Sequence, residues 1–285
     1  MNLTYTVQHK DIYLDSYTEP LIIWFFGDVH RDTPSCDVDR WKRFLQQSAK
    51  DNAWYFCMGD THDFVSISEK RKLEAANLHD ETIDKFDQFV EKDTRAFCEE
   101  IKHMRGRLLG FIEGNHHWVY KNGKTSTEDL ADRMDSIYLG WLCHYTLTVG
   151  FNNHKLSTYA FHIVACHGRS GGKTYGITLN QVGDLKNIFP VADIYCMGHD
   201  HQRVVDSISV LVPVRTNTDW KVKQKEQLLC RSGSFKKSYE PGKAGYEANR
   251  LLKPANIGAL KVIINFQRVR TNNSDLMHVE LNALV

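Results

Sequence analysis

The sequence predicts an α/β architecture in which two sheets pack face to face with helices outside. Three observations predict it. Short apolar runs recur along the chain, and each closes on a small island of Gly, Asp, Asn or His. The first of these runs alternate with a helical pattern, as a strand, crossover, strand unit does. From Val204 onward, strand-like runs follow one another without a helical period between them. A length of 285 residues with 42% apolar content fits one domain, residues 1–285, in which the segment at about 68–105 is a helical insertion.

Leu21–Phe26 is continuous in apolar residues, as a strand covered on both faces is, and its end delivers Gly27-Asp28-Val29-His30. A helix over about Asp37–Lys50 follows, and the next strand, Ala53–Met58, ends at Gly59-Asp60. Between Ser68 and Arg105, Ile83, Phe86, Val90, Phe97, Ile101 and Met104 repeat at helical spacing, so one or two amphipathic helices are expected there. Their apolar stripe has three uses open to it: packing on the body, capping a site, or pairing two copies in a homodimer. Arg107–Glu113 is a third buried strand and presents Gly114-Asn115-His116. After a turn at Asn122-Gly123, the run Thr125 to Asp129 offers caps for a helix reaching about Ile137. Trp141–Val149 and His154–Cys166 have hairpin character around Gly150-Phe151-Asn152-Asn153, and the second of them ends at His167-Gly168. Asp193–Met197 carries Gly198-His199-Asp200-His201. Ser209–Val214, Glu226–Cys230 and Ala259–Phe266 are expected to be successive antiparallel strands of a second sheet.

A formal charge of +1 makes no global electrostatic case for nucleic acid or membrane. Seven cysteines form no CxxC pair, which points to a reducing compartment. The most apolar early run, Leu21–Phe26, is too short for a signal core or a membrane span. A soluble cytoplasmic protein with no membrane partner is the expectation.

A lone histidine is usually structural, but five islands at strand ends change the odds. Aspartate can bridge two cations through its two oxygens, while imidazole and amide oxygen complete a shell suited to manganese, iron, zinc or similar ions. The pattern describes a two-metal hydrolytic centre. Gly168-Arg169-Ser170-Gly171-Gly172-Lys173-Thr174 looks like a nucleotide P-loop but has three residues, not four, before its Gly-Lys-Thr. Arg169 and Lys173 are instead candidate substrate contacts, a phosphate clamp beside a metal ligand.

With Gly27-Asp28-Val29-His30, Gly59-Asp60, Gly114-Asn115-His116, His167 and Gly198-His199-Asp200-His201 in order, the chain resembles the calcineurin-like metallophosphoesterase family. The resemblance implies a four-layer α/β/β/α sandwich with two mixed sheets. It implies that Asp28, His30, Asp60 and His201 hold one metal, and that Asn115, His167 and His199 join Asp60 around the other. Asp60, shared by both, and His116, beside the scissile phosphate, form the implied catalytic set. The nucleophile would be a water or hydroxide activated by two divalent ions, manganese first among iron, zinc, nickel, cobalt and magnesium. Arg231-Ser232-Gly233-Ser234-Phe235 and the glycine-rich loop after His167 look like phage and prophage members, which places the protein in a bacterial or phage-infected cell.

One position departs from the family pattern. His117 stands where an acid commonly follows Gly-Asn-His, so activity or its pH optimum is expected to shift unless another carboxylate substitutes. Lys236, Lys237, Lys243, Arg250 and Lys253, interleaved with Phe235, Tyr239 and Tyr246, offer a basic and aromatic lip for nucleic acid. The expected function is a phosphodiesterase acting on a phosphodiester substrate, DNA and nucleotides among the options. A phosphomonoesterase and a noncatalytic metal-binding scaffold are the alternatives.

Overall fold

In the computed structural model the apolar runs pair into two mixed sheets. The structure describes residues 5–64, 69, 72–73, 76, 79–152, 158–169, 175–215, 219–239, 253–271 and 274–285, with the side chains of 269–277 left aside. One sheet has five strands in the order β11 (Ser274–Leu284), β10 (Leu260–Thr271), β2 (Leu21–Phe26), β3 (Trp54–Cys57), β4 (Leu108–Phe111). The other has six, in the order β1 (Thr6–Leu14), β5 (Leu142–Phe151), β6 (Tyr159–Cys166), β7 (Ile194–Met197), β9 (Trp220–Ser232), β8 (Arg203–Arg215). Strands β2, β3 and β4 run parallel, as do β6, β7 and β9.

Alternation along the strands sorts the apolar residues into three layers. Phe25, Phe56, Leu109, Val262 and Ile264 meet Leu147, Phe161, Ile163, Ile194, Leu228 and Cys230 between the sheets. On the outer face of the five-stranded sheet, Trp24, Phe26 and Tyr55 pack against α1 (Val38–Lys50), α2 (Asp80–Glu100) and α3 (Ser126–Arg133) through Trp41, Phe44, Phe97, Cys98 and Leu130. On the outer face of the six-stranded sheet, Val164, Tyr195 and Leu229 pack against Val182 and Leu185 of α4 (Tyr175–Ile188). The result is an α/β/β/α sandwich consistent with a metallophosphoesterase fold. All seven cysteines are buried and unpaired, and no helix among the described residues is long and apolar enough to cross a membrane.

Several local chemistries set these boundaries. Asp37 caps α1 by accepting from Arg40 N, and Thr125 with Glu128 closes a capping box on α3. In the charged segment, Phe97, Ile101 and Met104 are buried against the five-stranded sheet and Val90 against Trp118, whereas Phe86 is exposed. The stripe at that end therefore packs on the body of its own chain.

Three expectations change. The C-terminal strands do not form a sheet of their own: β8 and β9 extend the six-stranded sheet, while β10 and β11 extend the five-stranded one. Each edge was open, and a long return strand satisfies backbone groups there whichever sheet it joins. Strand β1 was not expected, because Gln8, His9, Lys10 and Asp11 break its apolar alternation. It is an edge strand pairing in parallel with β5, so one face stays wet. Helix α4 was also not expected, since a glycine-rich loop precedes it and its period is weak.

Candidate metal centre

Parallel strands bring their C-terminal ends to one side, and that is where the five islands meet. Asp28 and His30 leave β2, Asp60 leaves β3, Asn115 and His116 leave β4, His167 leaves β6, and His199 and His201 leave β7. The turns are sharp. Among the described residues, Asp28, His30, Asp60, His199 and His201 are five of seven non-glycine residues with positive φ. Each such residue costs roughly 1 kcal/mol or more and persists only where the surroundings overdetermine it.

Here the surroundings are backbone hydrogen bonds between islands. Asp28 N donates to Gly59 O at 2.9 Å, and Asp28 O accepts from Phe235 N at 3.0 Å and from Ser234 Oγ at 2.8 Å. Asp28 Oδ2 accepts from His199 N at 2.9 Å, and Asp60 Oδ1 accepts from His116 N at 2.9 Å. Gly114 is required for the last contact, since a Cβ there would stand 2.0 Å from Asp60 Oδ1.

Two groups of donors result. Asp28, His30 and His201 converge in one, and Asp60, His167 and His199 in the other, with the ligand atoms of each group within 4.8 Å of one another. Asn115 Oδ1 lies 3.0 Å from His167 Nε2, so the amide borders the second group. His167 Nδ1 lies 2.8 Å from Met58 O, which fixes Nε2 as the atom turned toward Asp60.

The electrostatics of the donor set are those of a cation site. Burial pushes the Asp28 carboxyl up to about 6, against the pull of His167. For Asp60 burial acts upward as well, but His167 and His30 outweigh it and hold the carboxyl far below its usual range. Burial also opposes protonation of His167, yet Asp60 and Asp28 lift that imidazole to about 9. Burial and the charge of His167 take His199 down to about 4, and burial with His30 holds His201 well below its ordinary value. Asp28 Oδ1 and His30 Nε2 are buried without a hydrogen-bond partner. Such orphaned atoms cost about 1–3 kcal/mol each unless a ligand meets them. Imidazole nitrogens, carboxylate oxygens and an amide oxygen suit divalent cations such as Mn, Fe or Zn. The residues present therefore fit a metal pair.

No family model matches the chain, and no curated protein matches it. A solved structure from Streptococcus pneumoniae TIGR4, a conserved uncharacterized protein described as a predicted phosphoesterase, is 10% identical over 92% of this chain and 98% of that one, with a TM-score of 0.31. That likeness is too distant to speak for the site. The geometry speaks for itself. Paired donor groups at the strand ends of a two-sheet sandwich make a dinuclear site and fold of calcineurin-like metallophosphoesterase type.

His116 stands beside both groups, its ring 5.2 Å from that of His30. Its Nδ1 contacts the carboxylate of Asp63, which also lies 3.6 Å from His30 Nδ1 and 3.4 Å from Lys236 Nζ. Asp63 itself is held by its N–H, which donates to Asp32 Oδ1 at 2.7 Å. Asp63 was not singled out in the sequence, although an acid three residues after Asp60 was the signal for it. It supplies the carboxylate that position 117 lacks. His117 turns away, with Nδ1 2.8 Å from Gly114 O and 2.9 Å from the buried Glu113. Burial disfavours the His116 imidazolium, but the hydrogen bond to Asp63 and the charge of Asp60 outweigh it and raise its pKa.

The basic residues divide. Lys236 reaches the site. Arg169 is exposed and paired with Asp184 of α4 at 2.8 Å, while Lys173, Lys243, Tyr246 and Arg250 lie outside the described residues. Lys253 Nζ donates to Thr178 Oγ1 at 2.8 Å. Arg231 is wholly buried and supports the His199 loop, donating to Gly198 O at 2.7 Å while also holding Thr178 O and Gln181 of α4.

Proposed function

We propose that the chain is a dinuclear metal-dependent phosphoesterase whose preferred substrates are phosphodiesters. Asp28, His30, His201 and Asp60 would hold one divalent cation, and Asp60, Asn115, His167 and His199 the other, with manganese the ion to try first. Two bound cations would supply positive charge to phosphoryl oxygens and make water a stronger acid at neutral pH.

The observation that carries this reading is the Asp63–His116 pair beside two donor groups. Metal storage or structural bracing needs the donors alone, whereas a raised, carboxylate-oriented imidazole at their border is a proton-handling device. With Nδ1 engaged by Asp63, His116 offers Nε2 to a phosphoryl or leaving-group oxygen. The imidazolium there stabilises developing negative charge or hands its proton to the departing alkoxide. Lys236 adds a second positive charge on the same side, and Arg169, two residues after His167 in the chain, would be a further anion contact once released from Asp184. The leaving alkoxide of a diester would take that proton, as would that of a monoester, so an assay of both esters separates the two.

The test is manganese-dependent hydrolysis of bis-(p-nitrophenyl) phosphate against p-nitrophenyl phosphate, with metal-free protein and a His116→Gln variant alongside. Diester turnover that is lost in both controls is the expected result. Two bound metals with no turnover on either ester would favour a binding scaffold, and faster monoester turnover would make the protein a phosphomonoesterase.

A further inference from the structure

Away from the metals, β8 and β9 run on as a two-stranded ribbon whose Lys223–Glu226 stretch borders a cavity shared with Val279, Glu280 and Leu281 of β11, while Leu211, Trp220 and Val222 nearer the tip stay exposed. Strand β9 pairs with β7 only over Leu228–Arg231, so from Trp220 to Gln227 its one strand partner is β8, the edge strand. A free two-stranded ribbon is marginal in water and needs something against its apolar face. The register shows which face that is. Leu211 lies opposite Gln224, Pro213 opposite Val222, and Arg215 opposite Trp220, so these side chains share one face. Leu211, Val222 and Trp220 are 73%, 67% and 64% exposed. On the opposite face Lys221, Lys223 and Lys225 lie across from the half-buried Val214, Val212 and Val210, and Lys225 pairs with Asp193 at 2.8 Å.

We infer that this apolar ribbon face docks on the same face of a second copy of the chain. The charges on the face select that occupant. Arg215 sits at the tip end of the apolar stripe, and Glu226, on the same face opposite Ser209, sits at its base end. The two are about 20 Å apart at strand spacing. A two-fold axis through the stripe lays one ribbon antiparallel on the other, so that each Arg215 meets Glu226 of the second copy while the apolar residues meet at the centre. A polyanion would be drawn to the lysine face instead, and a lipid surface would gain nothing from Glu226. Pro213 has no N–H to add to the free edge of β8, which works against joining copies edge to edge. A face of this size is at the low end of interfaces, so the dimer dissociates on dilution.

Sedimentation velocity of the full chain from about 1 to about 100 µM tests the inference. A concentration-dependent dimer is expected. Trp220→Ser with Val222→Ser weakens association about thirtyfold or more, since a large aromatic side chain in an interface is a typical anchor. Arg215→Glu alone also weakens it, and Arg215→Glu combined with Glu226→Arg restores it. The charge pair keeps the test sound should the apolar variant misfold. A monomer at all concentrations overturns the inference, as does a dimer indifferent to both sets of substitutions. So does a monomer whose ribbon substitutions abolish binding to duplex DNA or to anionic vesicles.

Discussion

The two donor groups differ in how they stand without help. In the Asp60 group, His167 Nε2 lies 3.0 Å from Asp60 Oδ2, 3.0 Å from Asn115 Oδ1 and 3.1 Å from His199 Nδ1, so the ligand atoms hold one another in place. In the Asp28 group, His201 Nε2 stands 3.6 Å from Asp28 Oδ1, and both that oxygen and His30 Nε2 are buried with no hydrogen bond. The first arrangement must exchange hydrogen bonds for a cation, whereas the second has only desolvation to relieve. The Asp28 group should therefore fill first, and the Asp60 group second.

The strongest way to break this contrast is Asp60→Asn. Removing that carboxylate charge takes away the counterion of His167 and a negative charge facing His30 and His116. Metal content measured by elemental analysis should fall from about two ions per chain to below one. One ion retained at full occupancy would mean that Asp60 serves its own group alone, and the proposed sharing would be wrong.

Next in size is His116→Gln. The side chain borders both groups without being placed among their ligands, so both ions should stay while turnover of the diester falls about 10²–10⁴-fold. Unchanged turnover would remove His116 from the chemistry. Asp63→Asn should cost less, about 10–100-fold, by leaving the imidazole in place but without its orienting charge. Because Asp63 also faces His30, its loss should loosen the ion of the Asp28 group more than that of the Asp60 group. Equal loosening of both, by titration calorimetry, would blur the distinction between them.

The difference between what was and was not legible follows from the same physics. Motif residues sit next to each other in the chain and at strand ends, so Asp28, His30, Asp60, Asn115, His116, His167, His199 and His201 can be picked out from local pattern. The buried strands are legible because a covered sheet tolerates little but apolar side chains. Asp63 was missed because its meaning depends on His116, 53 positions away by residue number, and only the fold brings the two together. Arg231 was seen only as part of a motif, since nothing local reveals that its guanidinium is buried and holds the His199 loop. Sheet membership of β8 to β11 was illegible for a related reason: an alternating strand carries no label for which of two open edges it joins.

The smallest effect concerns the wall behind the site. His62 is buried, its ring stacked on Phe64 at 4.5 Å and its Nδ1 3.1 Å from Thr61 Oγ1. Burial, with the charges of Arg31 and His30 adding to it, takes its pKa from 6.5 down to about 3. The unfolded chain accepts a proton at this residue below 6.5, while the folded chain refuses it until about 3. In that window the unfolded state binds more protons, so stability falls as the pH drops, and the contribution is intact above it. His62→Gln removes this slope but gives up the packing and the bond to Thr61, so the variant should melt lower at about pH 7.5 and approach the parent by about pH 4.5. Thermal melts of the metal-free chains across that range read the gap directly. A gap that keeps its size from neutral to acid pH would mean that the imidazole titrates there as freely as in the unfolded chain.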